Sequence, residues 1–290
     1  MIENNPKVSI YITTCNRLDK LKRAVMSVQK QDYSNIEILI CDDASTDGTE
    51  KFVDSLIFED ARIKYFRNDE NKGACATRNI GIFNATGEFI TGLDDDDEFT
   101  PDRLSFFIDK WDDKYSFICA NFENKYQDSM TLNYRLKKEK EFHYSDLLFA
   151  NEASNQVFTR TEKLREIGGF DVSVKRLQDW DTWLRLSHAF GPFIRFPESK
   201  YIMHHDHVQS ESRVSRSYSF VDALNDMAQR NKKIYGYKER RILNMIILTI
   251  NGNLKLKHFV QWFFFGWESI ESIKDGLSLF KDEGYIIYFL

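Results

Sequence analysis

Short apolar runs and stretches with apolar residues at every third or fourth position take turns along the first part of the chain. Val8, Ile10 and Ile12 alternate with their neighbours and predict a strand over 7–14. Leu21, Ala24, Val25 and Val28 fall on one stripe and predict a helix over 18–31, with Asn16, Arg17 and Asp19 marking its turn and cap. A second apolar run, 36–41, ends in Asp42 and Asp43. The turn residues Ser45, Thr46, Asp47 and Gly48 follow and cap a helix over 49–55. The pattern continues with a short strand at 63–66, a helix at 73–84, a strand at 88–93 and a helix at 101–110. Strand and helix in strict alternation predict an α/β fold, a parallel sheet with helices on both faces.

The later pattern is less regular. Strands are expected at 117–121 and 155–159, a turn at 168–171 and a helix over 179–189. Residues 124–150 are polar and read as a loop region with a short helix at 145–150, and 201–207 as a histidine-rich segment. From Phe220 onward the spacing is helical, over 220–235, 239–250 and 258–280.

The 290 residues are 42% hydrophobic and 29% charged, an ordinary balance for a soluble globular protein. No apolar run reaches the roughly 18 residues that a spanning helix needs. A net charge of −5 gives no reason to expect a nucleic-acid partner. The sign is uneven, however. Residues 213–258 hold ten Lys or Arg against three Asp or Glu, and six aromatics crowd into 258–267. Basic, aromatic helices of this kind lie on an anionic membrane surface, pack on the rest of the protein, or form a dimer interface, so a peripheral membrane contact through 230–290 is one expectation. Cys15, Cys41, Cys75 and Cys119 are widely spaced and show no metal or redox pattern. With no signal-peptide pattern, they suggest a reducing, cytoplasmic setting.

The candidate chemistry concentrates at the strand ends, where open α/β sheets bind ligands. The run ending at Leu93 delivers Asp94, Asp95, Asp96 and Asp97 to one edge. Two like charges at 4 Å cost about 1 kcal/mol in water and several-fold more at low dielectric. A hard divalent cation would relieve that repulsion and share its shell with a substrate phosphate. The bland alternative is a solvated acidic loop. Asp42-Asp43 and Thr13-Thr14-Cys15-Asn16 end two further strands and would meet the acidic tip at the same edge.

Five segments together resemble glycosyltransferase family 2, the inverting nucleotide-sugar transferases with the GT-A fold, in its bacterial polysaccharide and O-antigen assembly form. They are Val8 to Arg17, Ile38 to Asp47, Asn71 to Asn79, Gly87 to Asp97 and Gln178 to Arg185. The resemblance implies a GT-A catalytic domain over 1–212, with nucleotide-sugar binding in about 1–110 and acceptor binding and the base in 111–212, followed by a helical region over 213–290. It implies that Thr13 and Asp43 contact the uracil of a UDP-sugar, and that Asn16, Arg17 and Arg78 lie against the base or diphosphate. Asp95 would accept from a ribose hydroxyl. Asp96 would bind Mn²⁺ or Mg²⁺ directly, with Asp94 beside it and His204 completing the shell; Asp97 would cap the next helix. Asp179 matches the catalytic base, with Asp181 as the competing candidate. Two positions depart from the family pattern: Cys15 stands where a stacking Tyr is common, and Gln178 where a Glu usually precedes the base.

The function implied is metal-dependent transfer of a hexose, glucose or galactose favoured, from a UDP-sugar to a glycan hydroxyl, giving a β-linkage. The expected acceptor is linked to a polyprenyl diphosphate, which would bring the enzyme to the inner face of the cytoplasmic membrane. A sugar nucleotidyltransferase is the alternative enzyme class, although residues 13–17 lack the glycines of its phosphate loop. A non-catalytic nucleotide-sugar or glycan-binding module is the third reading.

Overall fold

A computed structural model describes residues 5–133, 136–153, 155–206, 218–253 and 255. The expected helix at 258–280 and His207 lie outside them, as does most of the basic, aromatic C-terminal stretch. By chain contacts the protein divides into two compact units. The larger falls within 1–144, 153–173 and 178–211, and the smaller within 145–152, 174–177 and 212–290.

The larger unit is built on one sheet, ten-stranded among the described residues. Its first half is doubly wound. Strands β1 (Val8–Thr14), β2 (Ile36–Asp42), β3 (Ile63–Arg67) and β4 (Phe89–Asp94) are parallel in the order β3-β2-β1-β4. Helices α1 (Leu18–Gln29), α2 (Thr49–Glu59) and α3 (Ala74–Asn84) make the crossovers. All seven residues of β2 are buried, as are six of the seven in β1, because helices cover both faces of such a sheet. Val8, Ile10, Ile12, Ile38 and Ile40 pack with Leu21, Val25 and Val28 of α1 in the core. Each fully buried aliphatic side chain contributes about 1.5–3 kcal/mol.

Register carries this pattern to the functional edge. Thr13 pairs with Cys41 on one side and Asp94 on the other, and Thr14 pairs with Asp42. The three strand ends expected to converge therefore do so.

The second half is mixed. It holds β5 (Glu98–Phe99), α4 (Arg103–Lys110), β6 (Ile118–Lys125), β7 (Met130–Leu132), β8 (Lys140–Phe142), β9 (Phe158–Arg160), α5 (Thr161–Glu166), α6 (Gln178–Phe190) and β10 (Phe193–His204). The order continues β4-β9-β6-β10-β5, with β7 on β6 and β8 on β10. Strand β9 runs antiparallel to both β4 and β6, so β6 and β10 point the same way as β4. Arg103 is buried between β5, α4 and β10, its guanidinium 4.4 Å from the Phe99 ring, 4.7 Å from Phe107 and 5.5 Å from Tyr201.

Several elements differ from the sequence reading. The long β10 was expected only as a histidine-rich segment. Pro197, Glu198, Ser199 and Lys200 break its alternation, and the strand accommodates them by register shifts on either side of Ser199. Short β7 and β8 occupy the expected loop at 124–150; β7 is wholly exposed and lacks an apolar face to read. A 3₁₀ turn at Tyr144–Leu147 stands near the expected helix at 145–150.

In the smaller unit, α7 (Phe220–Arg230) and α8 (Tyr237–Ile250) bury Leu224, Met227, Ile242 and Ile246. Tyr235 donates to the Leu148 carbonyl at 2.6 Å, and Arg176 lies over the Phe220 ring at 5.1 Å. The apolar stripes of these two helices are thus covered by protein. No helix of the described residues is long and apolar enough to cross a membrane.

Candidate active site

The acidic tip is a tight, cross-braced turn. The Asp97 N–H donates to the Asp94 carbonyl at 3.1 Å. The Asp97 carboxylate accepts from the Tyr201 hydroxyl at 2.7 Å and the His204 N–H at 2.9 Å. Asp97 therefore fastens the tip to β10 rather than capping α4. From the other side Arg17 Nη1 reaches Asp95 Oδ1 at 3.1 Å and Asp96 Oδ2 at 3.2 Å. Arg23 of α1 donates to the Asp96 backbone carbonyl.

Burial and mutual repulsion raise the affinity of Asp95, Asp96 and Asp97 for protons. Asp95 is pushed up to about 7 by burial and then by the Asp96 charge, with Arg17 opposing. Asp96 is raised by burial and by Asp94, and Asp97 well above the usual range by burial, Asp96 and Asp94. A cluster of hard oxygen donors destabilised in its charged form fits a divalent cation. No group of three or more His, Cys, Asp or Glu among the described residues is arranged to hold one. One or two carboxylates completed by substrate phosphates is a common magnesium shell, and Asp94 and Asp96 fit that description.

His204 is buried beside the tip and has a carboxylate partner of its own. Its Nε2 is 2.6 Å from Glu98 Oε1. Burial and then Arg23 lower its pKa against the pull of Glu98. That contact engages one ring nitrogen of His204.

Arg78 joins the tip to α6. Its guanidinium is buried and stacked over the Phe170 ring at 5.1 Å. Nη2 meets Asp94 Oδ1 at 3.0 Å, and Nη1 meets Gln178 Oε1 at 2.7 Å. Asp179 Oδ1 lies further off, 3.9 Å from Nη1. That oxygen is buried and has no hydrogen-bond partner. Burial, with a contribution from Asp94 and against Arg78, raises the Asp179 pKa to about 7. The tip and Asp179, distant in sequence, are brought together by one cation.

Asp181 has a different occupation. It pairs with Arg185 at 2.9 Å, and Arg185 in turn donates to the Ile167 and Gly169 carbonyls at 2.9 and 2.8 Å. It braces α6 against the turn before it.

At the β1–β2 edge, the Asn16 N–H donates to Ser45 Oγ at 2.8 Å, and Asn16 Oδ1 accepts from the Thr46 N–H at 2.8 Å. Asp43 is buried and accepts from Asn68 Nδ2, the Lys72 N–H and the Gly73 N–H, all at 2.8 Å. A carboxylate offers about four acceptor positions, and these bonds use three. Cys15 Sγ donates to the Asp43 carbonyl at 3.3 Å and accepts from Asn71 at 3.4 Å. Backbone strain marks the same places. The non-glycine residues with positive φ among those described are Asn16 (54°), Ala44 (62°) and Leu177 (64°), each adjoining or belonging to a candidate segment.

Sequence reasoning missed Gln156. Its amide donates to Asp94 Oδ1 at 3.3 Å while its carbonyl oxygen accepts from the buried Tyr11 hydroxyl at 3.4 Å. It also missed Tyr201 and Arg23 as partners of the tip, and Glu98 as the partner of His204. No local signal marks them, since each acts through a contact with a residue remote in sequence.

The glycosyl transferase family 2 model matches residues 9–168, which include β1 to β4 and the acidic tip. WcaA of Escherichia coli K12, provisionally described as a colanic acid biosynthesis glycosyl transferase, is 36% identical over 266 residues, 86% of this chain and 94% of WcaA. The chain belongs to glycosyl transferase family 2. A Campylobacter jejuni member, GalNAc(5)-diNAcBac-PP-undecaprenol β-1,3-glucosyltransferase, is 36% identical over 50% of this chain and 48% of its own. Escherichia coli WfgD, a UDP-Glc:α-D-GlcNAc-diphosphoundecaprenol β-1,3-glucosyltransferase, is 38% identical over 40% and 46%. Among solved structures, S. aureus TarS 1–349 in complex with UDP-GlcNAc superposes with a TM-score of 0.68 at 17% identity, covering 88% of this chain and 78% of that one. That likeness shows the GT-A fold. The family 2 chain described here is a glycosyltransferase.

Proposed function

We propose that this transferase moves a hexose from a UDP-sugar to a hydroxyl of a lipid-diphosphate-linked glycan, inverting the anomeric centre with the help of a divalent cation. The observation that carries the reading is the Arg78 bridge. It sets a carboxylate with an unpartnered oxygen opposite an acidic tip, the separation of roles that a single displacement needs.

In this reading Asp179 Oδ1 takes the proton of the acceptor hydroxyl as that oxygen attacks the anomeric carbon. A carboxyl with a pKa raised to about 7 is matched to such work near neutral pH, and positioned proton transfer accelerates a reaction by roughly 10²–10⁴. UDP leaves from the opposite face, so an α-linked donor yields a β-glycoside. Asp94 and Asp96 would hold the cation, which when bound neutralises the charge of the departing diphosphate. Arg17, seated on Asp95 and Asp96, and Arg78, seated on Asp94, flank the diphosphate. Thr13 and Asp43 meet the uracil, Asn16 shapes the loop beside it, and Asp95 accepts from the ribose. The names of the two glucosyltransferase relatives make glucose the first donor to test and a sugar on undecaprenol diphosphate the first acceptor. Such an acceptor would draw the enzyme to the cytoplasmic face of the membrane.

The test is UDP release from UDP-glucose with Mn²⁺, with and without a GlcNAc-diphosphate-lipid analogue. Acceptor-dependent release supports the proposal. Pyrophosphate formation would point to nucleotidyl transfer, and UDP binding without turnover to a binding module.

A further inference from the structure

A sugar ring offers a patch of C–H groups bordered by hydroxyls, and proteins bind it with a flat aromatic face flanked by hydrogen-bonding groups. Five aromatic side chains stand out as exposed among the described residues: Phe58, Phe83, Tyr126, Tyr144 and Tyr237. Phe58 and Phe83 sit in the last turns of α2 and α3, which return the chain to the starts of β3 and β4, so they lie at the edge opposite the acidic tip. Tyr144 follows β8, which pairs with the first residues of β10 at that same far edge. Tyr237 belongs to the smaller unit. Tyr126 is at the tip edge. It follows Lys125, the last residue of β6, which pairs with His204, and the His204 N–H is bonded to Asp97.

The Tyr126 ring is held in place although it is 44% exposed. It stacks on His205 with centroids 4.5 Å apart and planes 12° from parallel. His205 Nε2 is 2.7 Å from Asn124 Oδ1, and Asn124 Nδ2 donates to Asn133 Oδ1 at 3.3 Å. Both backbones are fixed as well: the Tyr126 N–H donates to the Ser129 carbonyl and the His205 N–H to the Lys125 carbonyl, each at 2.8 Å. Met130 and Leu132, 49% and 44% exposed, share one face of the adjoining β7. A ring ordered in advance gives up little further freedom when a ligand stacks on it.

Topology decides which substrate this platform meets. In the sheet, β1 and β2, the nucleotide side of the proposed site, lie on one side of β4; β6 and β10 lie on the other. Helix α6, which carries Asp179, leads directly into β10.

We propose that Tyr126, backed by His205, is a stacking platform for a sugar ring of the acceptor glycan next to the ring that reacts, with the Asn124 and Asn133 amides at its rim. This rests on the glycosyl-transfer reading above and adds to it the acceptor's binding surface.

The experiment measures acceptor KM, UDP-glucose KM and kcat for the full chain with a lipid-linked disaccharide acceptor, in wild type, Tyr126→Ala, Tyr126→Trp and His205→Ala. Tyr126→Ala should raise acceptor KM about 3- to 10-fold, the size expected for one lost ring stack, and leave UDP-glucose KM unchanged. Tyr126→Trp should keep the wild-type value and His205→Ala should fall between. In saturation-transfer NMR with the free disaccharide and no donor, Tyr126→Ala should lose the signal from one ring. An unchanged acceptor KM in Tyr126→Ala, or a rise in UDP-glucose KM in its place, overturns the inference. A wild-type protein that transfers to no glycan overturns the glycosyl-transfer reading instead.

Discussion

Arg78 Nη1 lies 3.9 Å from Asp179 Oδ1, while the other arm of the same guanidinium is 3.0 Å from Asp94. One buried cation thus serves two carboxylates, Asp94 at the end of β4 and Asp179 on α6, and Gln178 holds it nearer to itself than to the base. Removing one member of a buried ion set leaves the others without compensation, at a cost of about 3–5 kcal/mol. Arg78→Met should therefore lower the melting temperature strongly and abolish transfer. Arg78→Lys keeps the charge but cannot reach Asp94 and Gln178 at once, so it should recover stability in part and activity little. Thermal melts and acceptor-dependent UDP release read the two effects separately.

The two aspartates of α6 should separate cleanly. Asp179→Asn keeps the size of the side chain and removes the proton acceptor, so turnover should fall about 10²–10⁴-fold with UDP binding preserved. Asp181→Asn weakens the Arg185 pair that braces the preceding turn, so it should destabilise the fold while UDP release persists in the molecules that remain folded. Full activity in Asp179→Asn would remove that residue from the mechanism.

Gln178 sets the charge seen by that base. The wild-type acid limb of kcat/KM should fall near the Asp179 pKa of about 7. Gln178→Glu adds a negative charge beside Asp179 and neutralises part of Arg78; both effects favour the protonated base, so the acid limb should move to higher pH. The groups facing Asp179 are Arg78, Asp94, Tyr11 and Cys75; of these Arg78 alone is positive, and its charge is the one that Gln178→Glu would partly neutralise. Stability follows the same sign. A carboxyl whose folded pKa is raised contributes stability that is present below its ordinary 3.8 and is lost as pH rises through about 7. The metal-free protein should melt lower at neutral than at mildly acid pH, and Asp179→Asn should flatten that slope.

These relationships were legible in the sequence to different degrees, for physical reasons. Strands β1, β2 and β4 are buried on both faces, so their side chains form apolar runs that any reading of hydrophobic pattern finds. The acidic tip is a local signal of the same kind. Strand β10 hides because Pro197 to Lys200 interrupt it, and the energy that keeps it extended comes from β6, β5 and β8 alongside. The Arg78–Gln178 bond joins residues a hundred positions apart. Motif spacing marks each partner as notable, yet the bond exists only in the folded chain. Asp97 shows the converse. Its place before the next helix suggested a cap, and its tertiary partners Tyr201 and His204 gave it other work.

Two glycines of the segment around β4 offer a controlled comparison. A Cβ on Gly87 would meet the Lys7 carbonyl oxygen and the Ser9 nitrogen, both at 2.7 Å, at the edge where the strand begins. A Cβ on Gly92 would overlap the Tyr11 ring and Gln156 Oε1, next to the functional edge. Overpacking of this sort costs typically 1–3 kcal/mol, so Gly87→Ala and Gly92→Ala should both lower the melting temperature. Their effects on catalysis should differ. Gln156 donates to Asp94, and Asp94 holds Arg78, so displacing Gln156 disturbs the bridge between the tip and α6. Gly92→Ala should lose activity well beyond its loss of folded protein, whereas Gly87→Ala should lose activity only in proportion to unfolding. Gln156→Ala in place of Gly92→Ala removes the relay without the overlap and should reproduce the catalytic defect at a smaller cost in stability. Equal specific activity per folded molecule in Gly87→Ala and Gly92→Ala would show that the placement of Asp94 does not depend on Gln156.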